Sequence, residues 1–208
     1  MTEWRYSAER HRYLYPSGRA VPASRVLGLR QGFLDTQMTS AETLARSLAS
    51  GNLSVAQWER AVRALQKRAF VAEFALGAGG RTMVGPRGWG TVGGLLSGQY
   101  RYLRGFAQDV AGGTMSEAQI AERTKLYLAS ATQAYERGKA SGYAGLVLPC
   151  MPADGGTRCL SRCRCGWDIT EKAHAWHAFY RTNAGETCED CQTRARLYGP
   201  YIQEKPEA

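Results

Sequence analysis

Apolar residues recur every three or four positions through the second quarter of the chain, the spacing of one face of an α-helix. The stripe consists of Val55, Trp58, Val62, Leu65, Ala69, Ala72 and Leu76. It begins after a capping box at Ser54 and Gln57, in which each side chain satisfies a free amide of the first turn. The glycines of GAGG at 77–80 end it, because glycine accepts the left-handed conformation of a C-terminal cap. The pattern predicts one amphipathic helix here.

Two further stretches have helical spacing on either side of this helix. One starts at Ser24, a plausible N-cap, and continues to Gly51, with a break expected near Thr39–Ser40. The other begins at Ser116 with a second capping box, S-x-x-Q, and its apolar positions continue to Gly138. Such stripes usually face a protein core, so they predict packed helices and no specific function.

Another helix is predicted after Pro86, since Trp89, Val92, Leu96 and later apolar residues share a face. Its glycines at 93, 94 and 98 each cost about 1 kcal/mol relative to alanine, so we expect them to form a seam where another helix packs closely. They do not form a phosphate-binding loop, because no Gly-Lys-Ser/Thr follows. The helices together predict an elongated helical bundle over residues 24–145.

The pattern changes at both ends of this bundle. Residues 1–23 are polar and aromatic with two prolines, which predicts a basic N-terminal arm. After residue 145, LVLP at 146–149 predicts a short strand, followed by a turn and the cysteines. The expected fold class is therefore mainly α: an elongated helical bundle followed by a small cysteine-rich, zinc-binding α+β module at 146–208.

The net charge of +9 is unevenly placed along the 208 residues. Residues 151–208 contain eight Lys or Arg and eight acidic residues, so the excess lies in 1–150. A basic half is typical of contact with nucleic acid or an acidic protein surface, although scattered solubilising charge explains it equally well.

Targeting signals are not evident in the sequence. No apolar run approaches the roughly 18 residues of a membrane helix, and the N-terminus lacks the apolar centre of a signal peptide. We therefore expect synthesis in a reducing cytoplasm, where clustered cysteines favour metal over disulfides.

The cysteines are spaced as metal ligands, in the order Cys159-x3-Cys163-x-Cys165-x22-Cys188-x2-Cys191. Two short-spaced clusters can surround one tetrahedral zinc ion, and the ion would supply folding energy to a module with few aliphatic residues. The favoured ligands are Cys159, Cys163, Cys188 and Cys191, with Cys165 as a substitute for either of the first two. Four thiolates leave no open coordination position, so such a site is structural. Disulfides remain the main alternative.

The remaining candidates for chemistry are few. Cys150 lies outside both clusters and is expected to be a buried small hydrophobe. His174 and His177 lie between the clusters and can donate a ligand, but packing or surface roles are expected more often for such residues. The chain has three histidines and neither a G-x-S-x-G nor an H-E-x-x-H motif, so we do not expect an enzyme.

Two cysteine segments resemble a known family. RCLSRCRCGWDI (158–169) resembles a segment near the C-terminus of phage minor head proteins, often called head morphogenesis proteins, and CEDCQTRARLYGPY (188–201) resembles the element that accompanies it. YPSGRAVPASRVLGLRQGFLD (15–35) is also similar to this group of tailed-phage structural proteins. The order of the two cysteine clusters is reversed here, and Cys159 stands where the more familiar family pattern has histidine.

The resemblance implies a virion component present in few copies, associated with the portal or inner head, whose cysteines bind zinc. On this chain the implied ligands fall within Cys159, Cys163, Cys165, Cys188 and Cys191. We therefore expect a phage structural protein that packs against capsid or portal subunits, located in the virion and, during assembly, in the host cytoplasm. Neither a membrane nor a small-molecule substrate is expected as a partner.

Packaged DNA is a further expected partner, through the basic N-terminal arginines Arg5, Arg10, Arg12 and Arg19. The alternative function is a zinc-containing nucleic-acid-binding protein, whose affinity for DNA would fall steeply with salt because phosphate contacts release counterions. Against it, no helix rich in Arg, Asn and Gln follows the ligands.

Overall fold

The computed structural model describes residues 4–183 and 187–206. Helices predominate there, which confirms the predicted mainly helical class, and two small antiparallel sheets accompany them. The helices are α1 (Ala23–Ala49), α2 (Val55–Ala78), α3 (Pro86–Ala111), α4 (Glu117–Ala129), α5 (Thr132–Ser141) and α6 (Glu189–Leu197). The strands are β1 (Arg5–Ser7), β2 (Arg12–Leu14), β3 (Gly166–Glu171), β4 (Ala175–Arg181) and β5 (Tyr201–Glu204). No described helix has both the length and the apolar character needed to cross a membrane.

Helix α2 lies at the centre of the helical part and contacts α1, α3, α4 and α5. Its capping box is present: the Ser54 hydroxyl accepts from the Gln57 amide, and the Gln57 side chain accepts from the Ser54 amide at 2.8 Å. The helix ends at Gly79, whose φ of 98° is the predicted left-handed cap. Phe70 and Phe74, outside the predicted stripe, are fully buried because α2 has neighbours on several sides.

Helices α2 and α5 meet through their backbones. A Cβ on Gly77 would lie 2.1 Å from the Tyr135 carbonyl oxygen, and one on Gly138 would lie 2.2 Å from the Phe74 carbonyl oxygen. Only glycine permits such an approach, since either methyl group would overlap main-chain atoms that cannot rotate away. These two glycines form the close helix seam of the fold.

The seam predicted at Gly93, Gly94 and Gly98 of α3 is wrong. No heavy atom of another part of the described chain lies within 4 Å of where a Cβ would stand at any of the three. Val92 and Leu96 turn toward α2 and are buried, and this places the glycines on the outer side of the helix.

Helix α1 is continuous, and the break predicted near Thr39–Ser40 does not occur. The hydroxyls of both residues, like those of Thr36 and Thr43, donate to carbonyl oxygens four residues earlier, so they are satisfied without interrupting the helix. The residue before the first turn is Pro22, and Ser24 makes no capping hydrogen bond.

The predicted last helix of the bundle is divided in two. Its capping box at Ser116 and Gln119 is present. After Ala129, however, the Ala131 amide bonds to the carbonyl of Leu128, three residues back, and the regular ladder is interrupted before α5 begins. Ala131 remains fully buried, so the apolar pattern continues across the interruption.

The segment expected to be an arm contains a β1–β2 hairpin packed against two other parts of the chain. On one side, the Tyr13 hydroxyl donates to the Leu76 carbonyl of α2 at 2.7 Å. On the other, the His11 ring stacks on Tyr143 at 4.0 Å and lies 3.0 Å from a carboxylate oxygen of Glu171 in β3. The hairpin therefore joins the helical part to the C-terminal module. Residues 1–3 of the predicted arm lie outside the described residues.

The C-terminal module is a three-stranded antiparallel sheet, in the order β3-β4-β5, with helix α6 beside it. The strand predicted at 146–149 does not form. The backbone of this segment forms hydrogen bonds with side chains of β5 instead. The Val147 amide donates to Gln203 at 2.8 Å, and the Tyr201 hydroxyl donates to the Val147 carbonyl at 3.1 Å. These bonds satisfy the extended segment without a strand partner.

Helix α5 attaches this module to the bundle. The buried Glu136 carboxylate accepts a hydrogen bond from the Trp167 amide at 3.0 Å and pairs with Lys139 at the same distance. Tyr143, just after α5, donates to the Ile169 carbonyl at 3.3 Å. The sequence boundary near residue 145 is thus crossed by buried polar contacts.

Candidate metal centre

The two cysteine clusters are positioned by short local structures. Cys159 and Cys163 flank a 3-10 turn at Leu160–Arg162, which brings their sulfurs to the same side. Cys188 occupies the N-cap position of α6, and Cys191 lies in the first turn of that helix. A C-x2-C spacing at a helix start directs both thiols to one point, as a shared metal requires.

The sulfurs form a connected group. Cys159 Sγ lies 3.6 Å from the sulfurs of both Cys188 and Cys191. Cys191 Sγ also lies 3.6 Å from Cys163 Sγ. In a tetrahedral zinc site with bonds of about 2.3 Å, neighbouring sulfurs are about 3.8 Å apart. The thiols of Cys159, Cys163 and Cys191 all lie within 4.8 Å of one another and can hold a metal ion.

The disulfide alternative is not what the structure contains. All six cysteines are among the described residues, and all are free thiols. Contacts of 3.6 Å between sulfurs are well beyond the roughly 2.05 Å of a disulfide bond.

Two further cysteines lie beside this group. Cys165 is buried beside Cys163, but its sulfur does not belong to the three thiols that all lie within 4.8 Å of one another. Cys150 is half-buried, and its carbonyl accepts a hydrogen bond from the Trp167 indole at 3.0 Å. Burial raises the pKa of the Cys150 thiol to about 11, so it remains a neutral packing residue at pH 7.

Hydrogen bonds favour the thiolate at two of the sulfurs, Cys163 and Cys188, whereas burial and neighbouring thiols raise the pKa of Cys159 and of Cys191. A hydrogen bond from the Cys165 thiol lowers the pKa of Cys163 to about 4 against the opposing effect of burial, and the backbone amides of Cys165 and Ala153 add to the lowering. At Cys188 burial opposes ionisation, but backbone amides, including that of Cys191, outweigh it and the pKa is lowered. Donors directed at sulfur are a property of thiolate sites, so the residues present fit a cationic metal.

Aromatic side chains cover the inner side of the centre. The Tyr180 hydroxyl lies 3.9 Å from Cys163 Sγ and 3.7 Å from Cys191 Sγ. Burial and the neighbouring Cys163 raise the pKa of Tyr180, so its hydroxyl stays protonated and can donate to sulfur. Trp167 packs edge-on against Tyr180, with ring centroids 5.3 Å apart.

Polar contacts tie the two cysteine-bearing segments together. Arg194 of α6 donates to the Asp154 carboxylate and to the Met151 carbonyl, each at 3.2 Å. In the other direction, the Arg158 amide donates to the Asp190 carboxylate at 2.7 Å. These contacts orient the segments that present the ligands, as outer-shell residues do in metal sites.

Histidine does not join the centre in the described residues, where the group able to hold a metal contains cysteines alone. His174 is exposed. His177 faces the opposite side of β4 from Tyr180, because side chains alternate along a strand.

The supporting residues Tyr180, Arg194 and Glu136 were not identified from the sequence, because nothing in the sequence distinguishes them from ordinary residues of a strand or helix.

Comparison of the chain with family models, curated proteins and solved structures finds no match. A function for this chain must therefore be inferred from the cysteine centre, from the surfaces around it and from the resemblance of the cysteine segments.

Proposed function

We propose that this chain is a structural component of a tailed-phage virion, a minor capsid or head morphogenesis protein that packs against capsid or portal subunits. A structural zinc ion would hold its C-terminal module. The observation that supports this most directly is the convergence of the Cys159, Cys163 and Cys191 thiols, with Cys188 in contact with Cys159, in two segments that resemble those of phage minor head proteins.

Zinc is the metal that these donors favour. Soft thiolates in a tetrahedral arrangement select zinc or iron–sulfur clusters over magnesium and calcium. The proposed ligands are Cys159, Cys163, Cys188 and Cys191, with Cys165 beside them. Four thiolates complete the coordination shell, so the ion would have no position for a substrate and its role would be structural.

A structural role also agrees with how the module is attached. Its buried contacts with α5, through Glu136 and Trp167, transmit any stabilisation by the metal to the helical part. The helices in turn present surface for other subunits: Leu27 and Leu29 near the start of α1 are 48% and 50% exposed. They lie two residues apart on α1 and point to different sides of the helix, so they offer two separate contact points and no continuous apolar patch.

Native mass spectrometry of the purified chain tests the metal. We expect one zinc ion per chain, lost when Cys188 and Cys191 are both replaced by serine, together with unfolding of residues 150–208. A Cys150→Ser variant is the matched control and should keep its zinc, since that thiol lies outside the proposed shell. A wild-type chain purified under reducing conditions without bound metal would refute the zinc site.

Purified particles of the phage that encodes the chain test the virion role separately. Quantitative mass spectrometry should find the chain in these particles at a few copies, well below the major capsid protein. Its absence from both mature particles and assembly intermediates would refute the virion role and leave the zinc site standing.

A further inference from the structure

The positive charge of this chain is concentrated on one helical hairpin. Residues 60–108, which form most of α2 and α3, contain eight Lys or Arg against one acidic residue, a net +7 of the chain's +9. The basic residues are Arg60, Arg63, Lys67, Arg68, Arg81, Arg87, Arg101 and Arg104. The single acid, Glu73, is 1% exposed and pairs internally with Arg30. No carboxylate within these bounds faces solvent, and the two acids that flank them, Glu59 and Asp109, pair with Arg63 and Arg123.

Most of these cations have no counterion. Arg63 pairs with Glu59 one turn away. In the described part of the chain, the other seven take part in no ion pair. All seven are exposed, so their charges remain available to an anionic partner.

Cations from the two helices share one face. Arg63 of α2 lies over the Tyr100 ring of α3 at 5.1 Å, and the Tyr100 hydroxyl donates to the Arg63 carbonyl at 3.4 Å, which marks the line where the helices meet. Arg60 and Lys67 lie about one helical turn to either side of Arg63. Arg104 lies one turn beyond Tyr100. Together these residues form what we call the α2–α3 basic face: Arg60, Arg63, Lys67, Tyr100 and Arg104.

The partner of this face is indicated by what the hairpin lacks. A protein interface has an apolar centre within a polar rim, but the exposed large apolar side chains in residues 60–108 are only Met83 and Tyr102. Phosphate contacts need cations and no apolar centre. The bare outer side of α3 at Gly93 and Gly94 also lets a backbone approach closely.

We infer that the α2–α3 basic face binds the phosphodiester backbone of nucleic acid without reading its base sequence. This places the nucleic-acid contact on the central helices, in contrast to the N-terminal arginines that the sequence favours. The inference depends neither on the metal centre nor on the virion role.

Fluorescence anisotropy of the metal-loaded full chain with a labelled duplex DNA of mixed sequence tests it across a series of salt concentrations. The logarithm of the association constant should fall linearly with the logarithm of salt, by about 0.9 for each phosphate contacted. Replacing Arg60, Lys67 and Arg104 together with glutamine should reduce the size of this slope by about 2.7. None of the three takes part in a described ion pair, so circular dichroism melts should stay close to the wild type.

The matched control removes the same charge elsewhere, through Arg5→Gln, Arg10→Gln and Arg19→Gln, and should leave the slope nearly unchanged. An equal reduction of the salt slope in both variants would overturn the inference, since binding would then follow net charge alone. Binding without salt dependence would also overturn it. If polyglutamate competes as effectively as unlabelled DNA at the same concentration of negative charge, the face would be assigned to an acidic protein partner instead. Unlabelled single-stranded DNA and duplex RNA, used as competitors, show which nucleic acid fits best.

Discussion

The backbone contact between α2 and α5 predicts opposite effects of one added methyl group at two helical glycines. Gly138 lies at this contact, whereas Gly94 lies on the open side of α3. Alanine is favoured over glycine within a helix by about 1 kcal/mol, and this gain is common to both positions. The two substitutions therefore differ only in what the new methyl group meets.

At position 138 the methyl carbon would stand 2.2 Å from the Phe74 carbonyl oxygen and 3.0 Å from the Ala78 amide nitrogen. Both are main-chain atoms of α2, so relief requires the helices to separate by about 1 Å, which disturbs packing along their whole contact. Overpacking of this kind costs about 1–3 kcal/mol, and more when backbone must move. We expect Gly138→Ala to lose about 2 kcal/mol net, and Gly94→Ala to gain up to about 1 kcal/mol.

Urea denaturation of the metal-loaded variants, followed by circular dichroism, measures this difference. In thermal melts of the same variants, a difference of about 3 kcal/mol corresponds, for a chain of this size, to about 6–12 °C in melting temperature. Gly77→Ala should repeat the loss seen at Gly138, because its methyl carbon would stand 2.1 Å from the Tyr135 carbonyl oxygen. A Gly138→Ala variant at least as stable as Gly94→Ala would show that the two backbones do not meet there.

Three further predictions concern caps, a buried acid and the N-terminal hairpin. Ser54→Ala should destabilise the chain by about 1 kcal/mol through loss of the cap of α2, while Ser24→Ala should have no measurable effect in the same urea assay. Burial raises the pKa of Glu73 to about 7, so the folded chain keeps a proton that the unfolded chain releases above about 4.5. Stability should therefore fall as the pH rises between these values, and Glu73→Gln should abolish this fall; a variant with the wild-type pH dependence would contradict the assignment. Tyr13→Phe removes the hydrogen bond to the Leu76 carbonyl and should cost about 1 kcal/mol, with faster hydrogen exchange in the hairpin.

Features that depend on neighbouring residues were predictable from the sequence. Both capping boxes form as predicted because their donors and acceptors lie three residues apart, at Ser54 and at Ser116. The helical stripes were found for the same reason, since burial on one face leaves a periodic signal. The cysteine spacing likewise predicts a common meeting point, and the thiols of Cys159, Cys163 and Cys191 do converge.

Features that depend on distant partners were not predictable in this way. Gly94 and Gly138 are equally unfavourable within an isolated helix, and only the path of α2 decides which of them meets a backbone. The extended segment at 146–149 has the composition of a strand, but Gln203 of β5 satisfies its amide through a side chain. The contribution of Tyr180 to the sulfur centre depends on strand pairing across the module.

The hairpin of β1 and β2 has a consequence for how the chain reaches its native state. His11 packs on Tyr143 and reaches Glu171, 160 residues further along, so the hairpin obtains both contacts only after β3 has been synthesised. A ribosome-bound chain stalled before β3 should therefore leave the β1–β2 hairpin open to protease, and a chain extended through β5 should protect the hairpin.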